Sequence, residues 1–202
     1  MIKLNQVSKV IKGTEVLKEV DLVLKPGTCV MIHGHNGSGK TMLLRLIARL
    51  IKPTSGTIQY EASYRFGVII ENPTFFLQES ALYNLKYLAG INQMISETTI
   101  INWLKTFNLD EVKHKKVKTF SLGMRQRLAL CQAFMEEPDV ILLDEPFNGV
   151  DEGNLEKIYQ IIDQMKQKGT LIVIASHVKV PVEGLIDEEI KLSDGKMIER
   201  RS

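Results

Sequence analysis

Four short apolar runs recur along the chain with little polar alternation: "TCVMIH" (Thr28–His33), Phe66–Ile70, Val140–Leu143 and Leu171–Ala175. Runs this short and continuous suit strands of a sheet covered on both faces. Between the first two, Leu43, Leu46, Ile47, Leu50 and Ile51 fall at offsets 0, 3, 4, 7 and 8, the stripe of an amphipathic helix that "KPTSG" (Lys52–Gly56) then breaks. Helical patterns separating buried strands predict an α/β core with a largely parallel sheet. The N-terminal segments Ile2–Val7 and Val16–Leu24 alternate more and carry turn signals, which predicts a flanking antiparallel sheet.

The middle of the chain differs. From about Phe76 to Phe120 the pattern is helical and holds no convincing strand. Ser80 is placed to cap one helix ending near Gly90, and Ser96 another carrying Ile100, Ile101, Trp103, Leu104 and Phe107. The chain therefore reads as one domain: an α/β core over about 1–75 and 125–202, with a helical subdomain inserted at about 76–124. It contains no internal repeats or low-complexity segments.

Candidate chemistry collects where the buried runs end. "GHNGSGKT" (Gly34, His35, Asn36, Gly37, Ser38, Gly39, Lys40 and Thr41) fits G-x-x-x-x-G-K-[ST] and lies between a predicted strand and a predicted helix. Glycines let successive backbone N–H groups curl around a phosphate, with the helix N-terminus behind them. Lys40 can then reach the β and γ oxygens of a nucleotide, and the Thr41 hydroxyl can ligate Mg²⁺. "VILLDEP" (Val140–Pro146) places Asp144 and Glu145 at a second strand end. Alone, such a pair is equally a helix cap; beside a phosphate loop, Asp144 is expected to hold Mg²⁺ and Glu145 to polarise the attacking water. "LIVIASH" ends at His177, a third strand end delivering a polar group, expected to contact the γ-phosphate or that water.

Composition narrows the partners. The 202 residues are 44% hydrophobic and 25% charged, ordinary for a soluble domain able to bury a sizeable core. A net charge of +2 leaves no electrostatic footprint for nucleic acid. The one dense basic run, "KHKKVK" (Lys113–Lys118), reads as a solvated loop. Cys29 and Cys131 sit in apolar contexts without metal-type spacing, as reduced core residues of a cytosolic protein. The start, "MIKLNQVSKV", has no apolar signal core, and no run approaches a membrane span, so a membrane role is expected through a partner.

In their order these pieces resemble the ATP-binding subunits of ABC transporters, over essentially the whole chain. "GHNGSGKT" resembles the Walker A motif, "VILLDEP" Walker B, "NGVD" (Asn148–Asp151) the D-loop, and His177 the switch histidine. "FSLGMRQRLAL" (Phe120–Leu130) sits where that family carries Leu-Ser-Gly-Gly-Gln; Ser121 and Gly123 remain, while Leu122 and Met124 stand in for Gly and Gln. The resemblance implies a P-loop NTPase (RecA-like) core, binding and hydrolysis of ATP with Mg²⁺, and a head-to-tail dimer with a second copy or a paralogous cassette. In that dimer Ser121 and Gly123 would contact the partner subunit's ATP. It further implies a separate multi-span permease and a place on the cytoplasmic face of the membrane.

Glu71, in "VIIENPTFF" (Val68–Phe76), aligns with the glutamine of the family's Q-loop, which contacts Mg²⁺ and links the core to the helical subdomain. Hard cations prefer carboxylate oxygen, so Glu71 is expected on Mg²⁺ with Thr41 and Asp144. Glutamate there, together with "SLGM", resembles the branch exporting bacteriocins, lantibiotics and other antibiotics. At least one of Phe75 and Phe76 is expected in an exposed apolar patch with Tyr83 or Tyr87, where the family docks a helix of its membrane partner. Ile11 stands where the family generally stacks an aromatic on adenine, which leaves ATP against GTP preference open. A soluble ABC-type ATPase acting on ribosome or DNA is the alternative; one cassette, no heptad run and no basic face weigh against it. A GTPase is disfavoured by the lack of an N-K-x-D motif.

Overall fold

The computed structural model describes residues 1–71, 74–177 and 183–201. Asn72 and Pro73 of the "ENP" stretch lie outside the described residues. The first two strands, β1 (Ile2–Ile11) and β2 (Thr14–Leu24), form an antiparallel hairpin. Its turn residues Lys12 and Gly13 have φ of +47° and +81°. Positive φ at both central positions is the turn geometry whose twist matches that of the strands it joins. A further strand, β4 (Ser55–Tyr60), pairs with the other edge of β1, giving the order β2-β1-β4.

The second sheet has the order β5-β6-β7-β3-β8-β9, with β3 Cys29–His33, β5 Phe66–Ile69, β6 Val140–Asp144, β7 Leu171–Ser176, β8 Glu188–Ser193 and β9 Lys196–Arg201. All its pairings are parallel except β8 with β9. β6 and β7 are buried at every position, as their unbroken apolar runs require. Alternation still sorts their side chains. Met31, Ile141, Leu143, Ile172 and Ile174 face one core, and Val30, Ile32, Leu142 and Val173 face the other.

The second of these cores is closed by helix α1 (Lys40–Ile47) and the antiparallel sheet. The first is closed by α2 (Ala81–Asn92), α3 (Glu97–Thr106), α4 (Leu122–Phe134) and α5 (Glu152–Gln167). Ser80, Ser96, Ser121 and Asp151 cap these four helices, each side chain accepting an N–H three residues on. A cap of this kind satisfies one of the orphan donors of a first turn and contributes about 1 kcal/mol. The segment between β5 and β6 is helical, with two short 3₁₀ turns at Asp110–Val112 and Val117–Thr119. α4 runs unbroken through the expected boundary at residue 124, so core and insertion share a helix.

Helix α1 stops sooner than its apolar stripe predicts. The Tyr60 hydroxyl donates to the carbonyls of Ile47 (2.9 Å) and Leu46 (3.3 Å), satisfying groups a further turn would have used. Arg49 then turns left-handed at φ +60° and Leu50 is 62% exposed, outside the helix. Cys29 and Cys131 are free thiols; burial pushes Cys29 up to about 12 and raises Cys131 as well, so both are unreactive core residues.

Candidate active site

Three adjacent strands, β3, β6 and β7, end on the same side of the parallel sheet, and each hands its last residues to the site. After β3, Gly34–Gly39 turn into α1. Two glycines there are required by geometry. A Cβ on Gly34 would lie 2.4 Å from the Leu192 carbonyl oxygen, and Gly39 precedes the helix at φ +107°. No side chain caps α1, so its first-turn N–H groups remain free to face an anion. The Lys40 ammonium is buried and donates to Gly34 O (2.7 Å) and His35 O (3.2 Å), clipped across the loop. Ser38 is fully buried; its carbonyl accepts from Gly195 N (3.0 Å), which fastens the loop to the turn between β8 and β9. His35 lies 3.4 Å from Asp194, while Asn36 and Gly37 form the outer rim.

β6 ends in the acidic pair. Thr41 Oγ1 donates to Asp144 Oδ2 at 2.6 Å, joining the start of α1 to the end of β6. Burial raises the Asp144 pKa, the Glu145 charge raises it further, and Thr41, Lys40 and the Glu71 amide oppose the shift. A hydroxyl and a carboxylate so close are hard oxygen donors suited to Mg²⁺.

Glu145 sits at φ +46° in the left-handed region, a conformation costing ~1–3 kcal/mol in a non-glycine residue. Its surroundings hold it there. Its amide donates to Ala175 O (2.8 Å), Ser176 Oγ donates to Oε2 (3.0 Å), and His177 N donates to Oε1 (3.0 Å). His177 Nδ1 lies 2.8 Å from the same Oε1. The end of β7 therefore grips the carboxylate that ends β6.

Glu71 lies differently from expectation. Its carboxylate pairs with Arg45 Nη2 at 2.5 Å and is largely exposed; it contacts neither Thr41 nor Asp144. Its main-chain amide faces Asp144 and opposes the upward shift of that carboxyl. Arg45 stands one helical turn beyond Thr41 and supplies a nearby positive charge, whereas Asp144 and Glu145 repel a third carboxylate. Arg45 was not singled out in the sequence, and neither was Ser176; a polar residue just before His177 was the only available hint for the latter.

Among the described residues no hydrogen bond or ion pair joins Ser121 or Gly123 to residues 34–41. Gly123 instead meets the "NGVD" segment, where a Cβ would lie 2.4 Å from Gly149 O. The buried Gln126 of α4 donates to Pro146 O at 3.0 Å, tying the same helix to the residue after Glu145. Ile11 ends β1 partly exposed beside Val10, with the β2 residues Val16 and Leu17 abutting Gly39. Phe75 is buried, but Phe76 is 51% exposed and meets Tyr83 and Tyr87, 48% and 53% exposed, at centroid distances of 6.4 and 5.0 Å. The expected aromatic patch is present.

Comparison with known proteins agrees with this geometry. The family profile described as ABC transporter matches residues 17–148. An uncharacterized ABC transporter ATP-binding protein of Bacillus subtilis, YybJ, is 38% identical over 98% of this chain and 94% of its own length. The lantibiotic transport ATP-binding protein SrtF of Streptococcus pyogenes is 32% identical over 98% of this chain and 89% of its own. The ATP-binding cassette MJ0796, solved as a dimer in a post-hydrolysis state with ADP and Pi, superposes at a TM-score of 0.90 with 26% identity, covering 100% of this chain and 98% of that one. The chain belongs to the ABC transporter family and is one of its ATP-binding, ATP-hydrolysing cassettes.

Proposed function

We propose that this cassette works as a Mg²⁺-dependent dimer, with a second copy or a paralogous cassette, and drives a separate multi-span permease exporting an antibiotic or bacteriocin-type peptide. The observation that carries the catalytic part is the grip on Glu145. A carboxylate held by Ser176 and His177, next to the Thr41–Asp144 pair, is preorganised to orient and polarise one water. The phosphate loop holds the nucleotide: Gly34–Gly39 supply backbone donors and Lys40 a buried positive charge. Thr41 and Asp144 would hold Mg²⁺, which would supply positive charge against the charge that develops in phosphoryl transfer.

The dimer is supported by the cassette MJ0796, solved as a dimer. In the proposed dimer Ser121 and Gly123, which no hydrogen bond or ion pair among the described residues joins to their own phosphate loop, face that of the partner. Ser121 caps α4, and the N-terminus of that helix offers a γ-phosphate a favourable dipole. A partner cassette turned head to tail brings it there. No described helix is long and apolar enough to cross a membrane; in this reading the membrane-spanning part is a separate permease, as the relatives named as transport ATP-binding proteins support. The exposed patch at Phe76, Tyr83 and Tyr87 is the docking surface, at the cytoplasmic face. Relatives named for lantibiotic transport, and the bacitracin transport ATP-binding protein BcrA of Enterococcus faecalis (30% identical over 98% of this chain and 68% of its own), support the cargo class. Affinity purification from solubilised membranes tests the assembly. Recovery with a multi-span membrane protein is expected, and recovery with ribosomes or DNA would replace it with the soluble alternative.

Glu71 is the third oxygen donor to Mg²⁺ in this reading, reached when its carboxylate leaves Arg45. Glu71→Gln should then improve ATP affinity in chelator and reduce the gain that Mg²⁺ brings, because the repelling charge is lost together with a ligand. Titrations of both proteins with and without Mg²⁺ check this, and equal magnesium dependence would confine Glu71 to its ion pair with Arg45. Ile11→Tyr should tighten ATP by about tenfold, using base–aromatic stacking of ~1–3 kcal/mol as the scale. Unchanged affinity would place the hairpin tip away from the base.

A further inference from the structure

Helix α2 is apolar on two faces. Leu82, Leu85 and Ala89 enter the core, while Tyr83, Tyr87 and Ile91 are exposed at a spacing of four residues, a stripe ~12 Å long. Phe76 packs beside Tyr83 and Tyr87, and the exposed Leu77 precedes the helix at its N-terminal end. The backbone lays the basic run against that same end. Lys118 N donates to Leu77 O and Val117 N to Glu79 O, both at 2.9 Å, and Lys116 bridges Ser80 antiparallel. Val117 is buried, whereas its neighbours Lys116 and Lys118 are exposed.

Lys115, Lys116 and Lys118 are exposed, and among the described residues none of them has an ion-pair partner. On α2 itself Lys86 is neutralised by Glu97 at 2.6 Å. The far end of the stripe is different: it carries Asn92 and Gln93, and Asn92 donates to the carboxylate of Glu136 at 2.8 Å. Free positive charge thus gathers at one end of an apolar line.

We propose that this surface selects and orients its occupant: a short amphipathic helix of the permease whose first turn carries Asp or Glu, seated with that turn against Lys115, Lys116 and Lys118. The inference rests on the permease docking proposed above and adds the chemistry and direction of the docked segment. A straight apolar stripe matches one face of a helix lying along it. Carboxylates are favoured in a helix's first turn, so one-ended lysines distinguish the two ways of laying it down. A membrane surface would call instead for basic groups spread along a polar face beside the stripe.

Peptides spanning the cytoplasmic loops of the membrane subunit that co-purifies with the chain provide the test. The peptide bound by the full chain should contain an acidic first turn. Its affinity should fall at least about tenfold in K115E/K116E/K118E and should weaken as salt rises. A peptide with its acids changed to lysine should reverse this preference, binding the triple variant better than the wild type. Loss of binding in Y83A/Y87A, with unchanged thermal unfolding, would establish the docking itself. Binding that needs the tyrosines but ignores the lysine reversal and the acid-to-lysine exchange would overturn the orientation proposal and leave the docking intact. Absence of peptide binding, or binding that survives Y83A/Y87A, would remove both. Lysine-dependent sedimentation with anionic vesicles, without dependence on peptide charge, would assign the lysines to lipid headgroups and overturn the proposal.

Discussion

Glu145→Gln should retain ATP binding while ATP turnover falls by about 10²–10⁴-fold, the range that a positioned general base contributes. The substitution keeps the shape of the side chain and a carbonyl oxygen able to accept from Ser176 or from His177, so the clasp at the end of β7 persists. It removes the negative charge that makes an attacking water nucleophilic. Steady-state phosphate release, with nucleotide binding measured separately, distinguishes this from a folding defect. The left-handed φ of Glu145 adds to the case, because a conformation costing ~1–3 kcal/mol persists where surrounding contacts over-determine it. Four hydrogen bonds and contacts from Ala175, Ser176 and His177 supply that constraint. Hydrolysis at the wild-type rate in the variant would remove Glu145 from the chemistry.

Lys40→Ala should weaken ATP binding by about 10²–10⁴-fold. Hydrogen bonds to a charged group are worth ~1.5–3 kcal/mol each, and this ammonium can place two on phosphate oxygens. Its burial against Gly34 and His35 keeps the head group at the mouth of the loop, where no other cation can replace it cheaply. Truncation also leaves two loop carbonyls without their donor, so thermal unfolding without nucleotide is the control. Near-normal affinity with unchanged unfolding would mean that backbone donors alone hold the phosphates.

These residues were legible because their signals are local. The apolar runs at Thr28–His33, Val140–Leu143 and Leu171–Ala175 mark strands buried on both faces, and the polar residue following each run marks the site. Other features depend on partners distant in sequence. β8 and β9, in "EEIKLSDGKMIERR", are charged and lie toward one edge of the sheet, with only the Asp194–Gly195 turn as a signal. The end of α1 is set by the Tyr60 hydroxyl, and the orientation of Glu71 by Arg45, 26 residues before it. The signature motif marks Gly123 for phosphate contact, but nothing local to it shows that the Gly149 carbonyl packs against it. The basic run at Lys113–Lys118 reads as a solvated loop because nothing local shows that it borders the exposed face of α2.

In the proposed dimer one cassette is incomplete: phosphate loop and Ser121–Gly123 surface meet only across two subunits. Light scattering of Glu145→Gln during size-exclusion chromatography tests it directly, since binding without turnover traps the bound state. The account predicts a monomer without nucleotide and a dimer of twice its mass with saturating ATP and Mg²⁺, abolished by Lys40→Ala in the same chain. A monomer at saturating ATP and Mg²⁺, with ATP demonstrably bound, would contradict it for two copies of this chain; failure to pair with a co-purified paralogous cassette as well would contradict it altogether.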